Sequence, residues 1–102
     1  MRRIVAAALL FLTTAATAEP ATPDVPARIA KIMARGDGLS METAFKVSSV
    51  EDEYAILEAM GLKLSRQSLV ILKRPFDVIE AADADGKIHK IWFDVSRFFP
   101  AF

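Results

Sequence analysis

The chain has 102 residues, with 13 basic and 13 acidic side chains, one histidine and no cysteine. This length predicts a single small domain, and the lack of cysteine excludes the disulfide framework that is common in small secreted domains. The balanced charge provides neither a basic stripe of the kind that binds nucleic acid nor a run of Lys and Arg of the kind that binds anionic lipid.

The first eighteen residues have the three parts of a secretory signal peptide. Two arginines precede nine apolar residues (4–12), and residues 16–18 (Ala-Thr-Ala) have the small-x-small form of a signal-peptidase site. A membrane anchor needs about 20 apolar residues, so we expect cleavage after Ala18 and no membrane span in the mature form. The sequence therefore predicts a periplasmic or secreted protein.

A short helix should open the mature domain. Residues 19–24 contain two prolines among small and polar residues, which predicts a flexible mature N-terminus, and a single domain should occupy 25–102. Asp24 can cap a helix that runs to about Arg35, and the glycine-rich residues 36–38 should end it. Its narrow apolar stripe consists of Ile29, Ile32 and Met33.

A second helix should follow a short strand at residues 44–47. Ser48 and Ser49 are each followed three residues later by an acidic residue, which is the spacing of a capping box. Apolar residues then recur at helical spacing until Gly61, the expected end of the helix. The expected apolar face is Val50, Tyr54 and Leu57, and the expected solvent face is Glu51, Asp52, Glu53 and Glu58.

Three strands are predicted in the second half of the chain, at residues 69–72, 76–80 and 88–95. Asp85-Gly86 between the last two is a hairpin signal, because both residues adopt positive φ angles readily. The predicted fold is α+β, with the order β-α-β-β-β, in which an antiparallel three-stranded meander packs on one helix behind the short N-terminal helix. Alternation in the last strand places His89, Ile91, Phe93 and Val95 on the core side and Ile88, Lys90, Trp92 and Asp94 on the other.

The sequence offers no catalytic motif, metal site or cofactor site. His89 is the only histidine, and the Asp83-x-Asp85-Gly86 segment fails as an EF-hand loop because Trp92 falls on its glutamate position. Asp77, Glu80 and Asp94 could in principle supply the paired carboxylates of a glycosidase. A domain of this size rarely holds the cleft that a sugar needs, so solvent-exposed strand positions are the expected interpretation.

The surface opposite the predicted core carries the candidate binding residues. Trp can stack on a sugar or anchor a protein partner, although the first helix or the C-terminal aromatic residues could equally cover this one. The candidate binding residues are Trp92, Lys90, Phe98 and Phe99.

Several short motifs resemble a group of small exported bacterial proteins of unknown function. They are GDGLSMETA at 36–44, EYAIL at 53–57 with Gly61, QSL at 67–69 and WFDVSRFF at 92–99. The group combines a GDGxSxExA turn and strand with a C-terminal WFD(V/I)SxFF strand. This resemblance implies the domain limits and a location in the bacterial envelope, and it brings no activity, cofactor or catalytic residue with it.

Together these observations favour a non-enzymatic binding or interaction domain whose partner is another envelope or extracellular protein. One alternative is a small hydrolase that uses His89 with a nearby carboxylate, Asp94 or Glu80. Another is a subunit or inhibitor that dimerises through the edge of its sheet. The ligand, the oligomeric state and the source organism are left open by the sequence.

Overall fold

The computed structural model describes residues 25–100. The predicted signal peptide, the predicted flexible N-terminus and the proposed cap Asp24 all lie outside these residues. The elements in chain order are α1 (Ala27–Met33), β1 (Phe45–Lys46), α2 (Val50–Ala59), β2 (Lys63–Ile71), β3 (Pro75–Ala82) and β4 (Ile88–Asp94). No helix within 25–100 is long and apolar enough to cross a membrane.

The strands form one four-stranded mixed sheet in the order β1-β4-β3-β2. The antiparallel meander of β2, β3 and β4 is present as predicted, and the α+β class is confirmed. The sheet has one strand more than the predicted meander, because β1 pairs in parallel with β4, with Phe45 opposite Phe93. A strand of two residues has too little pattern to reveal a partner so far along the chain.

The predicted hairpin between β3 and β4 closes through Asp83. Its carboxylate accepts the backbone N–H groups of Asp85 at 2.9 Å and Lys87 at 3.0 Å. Gly86 has a φ of 84°, in the left-handed region that favours glycine. The hairpin forms as predicted, but the aspartate that fixes the turn is Asp83 rather than Asp85, and Gly86 supplies the positive φ.

The main core lies between the two helices and one face of the sheet. The predicted alternation of β4 is confirmed here, because Ile91 and Phe93 are buried on the helix-covered face. The stripe of α1 is also confirmed, with Ile29 fully buried and its two partners packed beside it. The buried members are Ile29, Phe45, Val47, Ile56, Leu57, Leu62, Ile79, Ala81, Ile91, Phe93 and Val95.

A second, smaller apolar cluster covers the opposite face of the sheet. Phe76 and Val78 are buried there, and Trp92 lies half-buried with its ring edge-on to Phe76 at 5.6 Å. The suggestion that the first helix or the C-terminal aromatics cover Trp92 is wrong, because α1, Phe98 and Phe99 pack against the main core. The tryptophan packs instead against the cluster of Phe76, Val78 and Ala44, the last of which lies just before β1.

The orientation of α2 differs from the prediction. Ser49 caps the helix as expected, with its Oγ accepting the Asp52 N–H at 3.2 Å. Asp52 and Glu53 are 1% and 0% exposed, however, whereas Tyr54 is 49% exposed. The inward stripe is Glu53, Ile56, Leu57 and Met60, so the helix buries an acidic residue at the start of its apolar face.

Two strand carboxylates that were expected in solvent are also buried. Asp77 is 9% exposed and Asp94 is 4% exposed. Asp94 accepts hydrogen bonds from Arg74 Nε at 2.9 Å and from the Ser96 N–H at 3.0 Å. Burial alone would raise the pKa of Asp94, yet the hydrogen bonds from Ser96 and the contact with Arg74 hold that pKa below its ordinary value.

Candidate functional site

Five cationic side chains surround a cavity of about 250 Å³. They come from three separate parts of the chain that the fold brings together: α1 and the turn after it, β1, and the segment that follows β4. Ile32 and Ser48 complete the lining. The cationic residues are Arg28, Lys31, Arg35, Lys46 and Arg97.

Local structure explains how these residues converge. Positions 28, 31 and 32 follow the spacing of three and four residues that places side chains on one side of α1, and Arg35 lies in the turn directly after the helix. Lys46 is exposed between the buried Phe45 and Val47, as strand alternation requires. Arg97 joins them because its Nη1 donates to Ser48 Oγ at 3.3 Å.

Only Arg28 among the five forms an ion pair within residues 25–100. Its guanidinium donates from both Nη atoms to the carboxylate of Asp52, with Nη1 to Oδ2 at 3.1 Å. Asp52 also accepts the Ser48 N–H at 2.9 Å. The hydrogen bond from Arg28 is the main reason that the pKa of Asp52 is lowered. Asp52 is therefore an ionised anchor that holds α1 against the start of α2.

The other four cations are exposed and form no ion pair with a described residue. Like charges gathered around one concave site raise the positive potential within it and attract an anion. The first turn of α2 contributes little, because Glu51 and the ionised Asp52 already offset the partial positive charge of that helix terminus. The attraction to an anion comes from the side chains.

A second polar cluster lies beneath α2 and joins Glu53, Asp77 and Gln67. The amide Nε2 of Gln67 donates to Asp77 Oδ2 and contacts Glu53 Oε1 at 3.5 Å. Burial, followed by the hydrogen bond and the charge of Asp77, raises the pKa of Glu53 to about 9. At neutral pH Glu53 is therefore a neutral acid, and its Oε2 has no hydrogen-bond partner among the described residues. With Glu53 wholly buried, this carboxyl pair is closed to a substrate and serves the fold.

His89 has a carboxylate partner, although a different one from those predicted. Its Nε2 lies 2.8 Å from Asp83 Oδ2 at the β3–β4 turn. Asp94 and Glu80 project from the opposite face of the sheet, since they alternate with the core positions. The hydrogen bond from His89 and those from the turn amides lower the pKa of Asp83. Within residues 25–100 no group of three or more His, Cys, Asp or Glu side chains is placed to hold a metal ion.

The predicted binding residues lie on two faces of the molecule. Trp92 is half-buried on the face away from the helices, and the exposed Lys90 precedes it on that face. Phe98 and Phe99 pack against the main core on the helix-covered side. The fold thus brings Trp92 near Lys90 and separates both from the aromatic pair. A binding role for these four stays a prediction.

Comparison with protein families identifies the domain type. A family model described as a domain of unknown function, DUF4919, matches residues 4–101. The chain belongs to this family. No curated protein and no solved structure matches it.

Two of the motifs quoted from the sequence meet in this DUF4919 domain. The Gly38 carbonyl accepts the Trp92 N–H at 2.7 Å, and the Gly38 N–H donates to the Thr43 carbonyl at 2.8 Å. Gly38 has a φ of 72°, and a Cβ at this position would overlap the ring of Phe45. The glycine turn therefore holds the loop after α1 against β4, which is a structural role.

The cationic cavity of the DUF4919 domain was missed by sequence reasoning. Its five charges are spread from Arg28 to Arg97, so no window of the sequence shows a cluster. The repeat of Arg28, Lys31 and Arg35 on one side of a helix was the available signal. The apolar stripe of Ile29, Ile32 and Met33 lies between these cations in the sequence, and it was the feature used to predict the helix.

Proposed function

We propose that this DUF4919 chain is a binding protein for a small organic anion that carries at least two negative charges. The observation that supports this proposal is the cavity lined by five cationic side chains, of which only Arg28 has a carboxylate partner within residues 25–100. A multivalent anion would supply negative charge to the four side chains that have no carboxylate partner among these residues.

The size and lining of the cavity define the ligand class. A volume of about 250 Å³ lies just below the range of about 300–1,000 Å³ that is typical of drug-sized ligands, so the ligand should be smaller. The guanidinium groups of Arg35 and Arg97 can bind carboxylate or phosphate oxygens with two parallel hydrogen bonds. Ile32 offers an apolar contact for a short carbon skeleton. A polycarboxylate or a phosphorylated metabolite fits this description.

The lining favours binding over catalysis. General acid–base chemistry needs a group that can exchange a proton with the substrate, usually His, Asp or Glu. The cavity side chains are cationic, apolar or hydroxyl, and the Ser48 hydroxyl oxygen accepts a hydrogen bond from Arg97. The His89–Asp83 pair belongs to the turn at the other end of β4. A ligand in this cavity would be held without being transformed.

Export to the periplasm or the medium is part of the proposal and is supported by the signal-peptide pattern of residues 1–18. Fractionation of cells that express the full chain, followed by N-terminal sequencing, tests it. The expected product begins at Glu19 and is found outside the cytoplasm. A full-length product in the cytoplasm would contradict export while leaving the anion site untouched.

The anion site is tested by nuclear magnetic resonance titration of the purified, isotopically labelled protein. Citrate, pyrophosphate and glycerol 3-phosphate are the anionic probes, and glycerol is the neutral control. We expect saturable shifts for amides around Lys31, Lys46 and Arg97, with citrate or pyrophosphate stronger than the monophosphate. Shifts spread evenly over all surface lysines, or shifts of equal size with glycerol, would refute the proposal.

A further inference from the structure

The turn between β2 and β3 exposes an unusual group of apolar side chains. Leu69, Ile71 and Leu72 are 48%, 61% and 54% exposed. They are followed by the exposed cations Lys73 and Arg74. We call residues 69–74 the hairpin tip. Contiguous exposed apolar groups with a charged rim mark a surface that binds a partner or a membrane.

The hairpin tip is firmly built. The Leu72 N–H donates to the Arg74 carbonyl at 3.1 Å, and Ile71 pairs with Pro75 in the sheet. Arg74 contacts Asp94 at 2.9 Å, and its guanidinium lies 5.2 Å from the centre of the Phe76 ring. The apolar side chains therefore project from an ordered turn, and some of the backbone N–H and C=O groups of that turn form hydrogen bonds within it.

We propose that the hairpin tip docks the domain onto an anionic phospholipid bilayer. Ile71 and Leu72 would enter the boundary between headgroups and acyl chains, with Lys73 at the level of the phosphates. Apolar insertion combined with electrostatic attraction is the general basis of peripheral membrane binding. This inference does not require a ligand in the cavity, although the cavity cations Lys46 and Arg97 lie at the same end of the sheet.

Charge supports an anionic partner. The segment from Ala59 to Phe76 contains four basic residues and no acidic residue. The ends of β1 and β4 lie at the same end of the sheet as the hairpin tip, because Lys46 pairs with Asp94 and Asp94 pairs with Phe76. Lys46 and Arg97 thus add positive charge there. The acidic groups near that end include Glu51, which is exposed, and the buried Asp52, Glu53, Asp77 and Asp94.

The form of β2 disfavours a protein strand as the occupant. β2 is an edge strand, but its central residues 65–68 are Ser, Arg, Gln and Ser, and all four are exposed. An added strand would find apolar side chains only at the two ends. Lys63 and Arg66 also place positive charge along this edge, and natural edge strands use such charges to prevent pairing. The apolar contact is concentrated at the hairpin tip.

Sedimentation with lipid vesicles tests the proposal. The purified protein should bind vesicles of equal parts phosphatidylglycerol and phosphatidylcholine and should remain free with phosphatidylcholine alone. Ile71→Ser with Leu72→Ser should lower the partition coefficient at least about tenfold, and Lys73→Gln should lower it about fivefold. Ile88→Ser is the matched control, since Ile88 is 50% exposed at the opposite end of the sheet.

Ile71, Leu72, Lys73 and Ile88 are all exposed, so thermal unfolding should show that their variants keep the fold. Equal binding to both vesicle types, or binding that the tip variants leave unchanged, would overturn the proposal. So would analytical ultracentrifugation that shows a dimer dissociated by the tip variants while no vesicle is bound, because that result assigns the hairpin tip to a second copy.

Discussion

The carboxyl groups of Glu53 and Asp77 lie close together beneath α2, and the nearness of Asp77 helps to raise the pKa of Glu53. Both side chains are buried, and Gln67 contacts the two of them. Burial is the largest cause that raises the pKa of Glu53 to about 9, and Asp77 adds to it. A neutral acid is therefore part of the packed interior at pH 7.

This pair predicts that the domain becomes less stable as the pH rises above the acidic range. Glu53 has a raised pKa in the folded state, so its contribution is complete below the unfolded value of 4.5 and is lost as the pH rises toward about 9. Within that window the free energy of unfolding should fall by on the order of 1 kcal/mol per pH unit. Urea unfolding at a series of pH values, followed by the fluorescence of Trp92, measures the slope.

Glu53→Gln is the matched variant for this prediction. The amide can donate to Asp77 and accept from Gln67 without a proton to lose, so the slope above pH 5 should flatten. The variant should be more stable than the parent at pH 8 by about 1–3 kcal/mol. If Glu53→Gln instead destabilises the domain at pH 8 and leaves the slope intact, the buried protonated Glu53 is not the cause.

Gly38 provides a test of the contact between the loop after α1 and β4. Gly38→Ala places a methyl group against the ring of Phe45 in a residue with positive φ, so we expect a loss of about 2–4 kcal/mol in thermal or urea unfolding. Gly86→Ala is the control, because Gly86 also has positive φ but open space around its Cα, and it should lose only about 1 kcal/mol. Equal losses would show that packing against Phe45 is unimportant.

Trp92 should contribute to stability through the smaller apolar cluster. Trp92→Ala removes the edge-on contact with Phe76, and we expect a loss of about 1–3 kcal/mol, whereas Trp92→Phe should keep most of it. Circular dichroism during unfolding is the measurement, since these variants lack the only tryptophan. A Trp92→Ala variant as stable as the parent would leave the side chain free for the binding role predicted from the sequence.

Local signals in the sequence predicted local structure well. Ser49 caps α2 and the hairpin forms at residues 83–86, because each depends on atoms a few residues apart. Alternation identified the buried face of β4, which is paired on both sides. Helical spacing gave the wrong orientation for α2, since Glu53 was expected to be a charged residue that faces solvent. A carboxyl group whose proton is retained behaves as a neutral polar group, and only the position of Asp77 in the fold reveals this.

Features that depend on distant residues were not predictable in this way. The parallel pairing of β1 with β4 and the cavity between Arg28 and Arg97 both join the two ends of the domain. The candidate functional site is a feature of this kind, because its positive charge comes from residues that are far apart in the sequence. The binding residues chosen from the sequence were conspicuous single residues, of which Trp92 is the clearest case.

Calorimetric titration of a charge-matched pair of variants tests the proposed anion site most directly. Lys31→Gln with Lys46→Gln removes two cavity cations, and Lys63→Gln with Lys87→Gln removes two exposed cations near the β3–β4 turn. For the tightest of citrate, pyrophosphate and glycerol 3-phosphate, the cavity variant should lose at least about tenfold in affinity and the control less than about twofold. Equal losses in the two variants, or no measurable heat of binding for any of the three anions, would contradict the account.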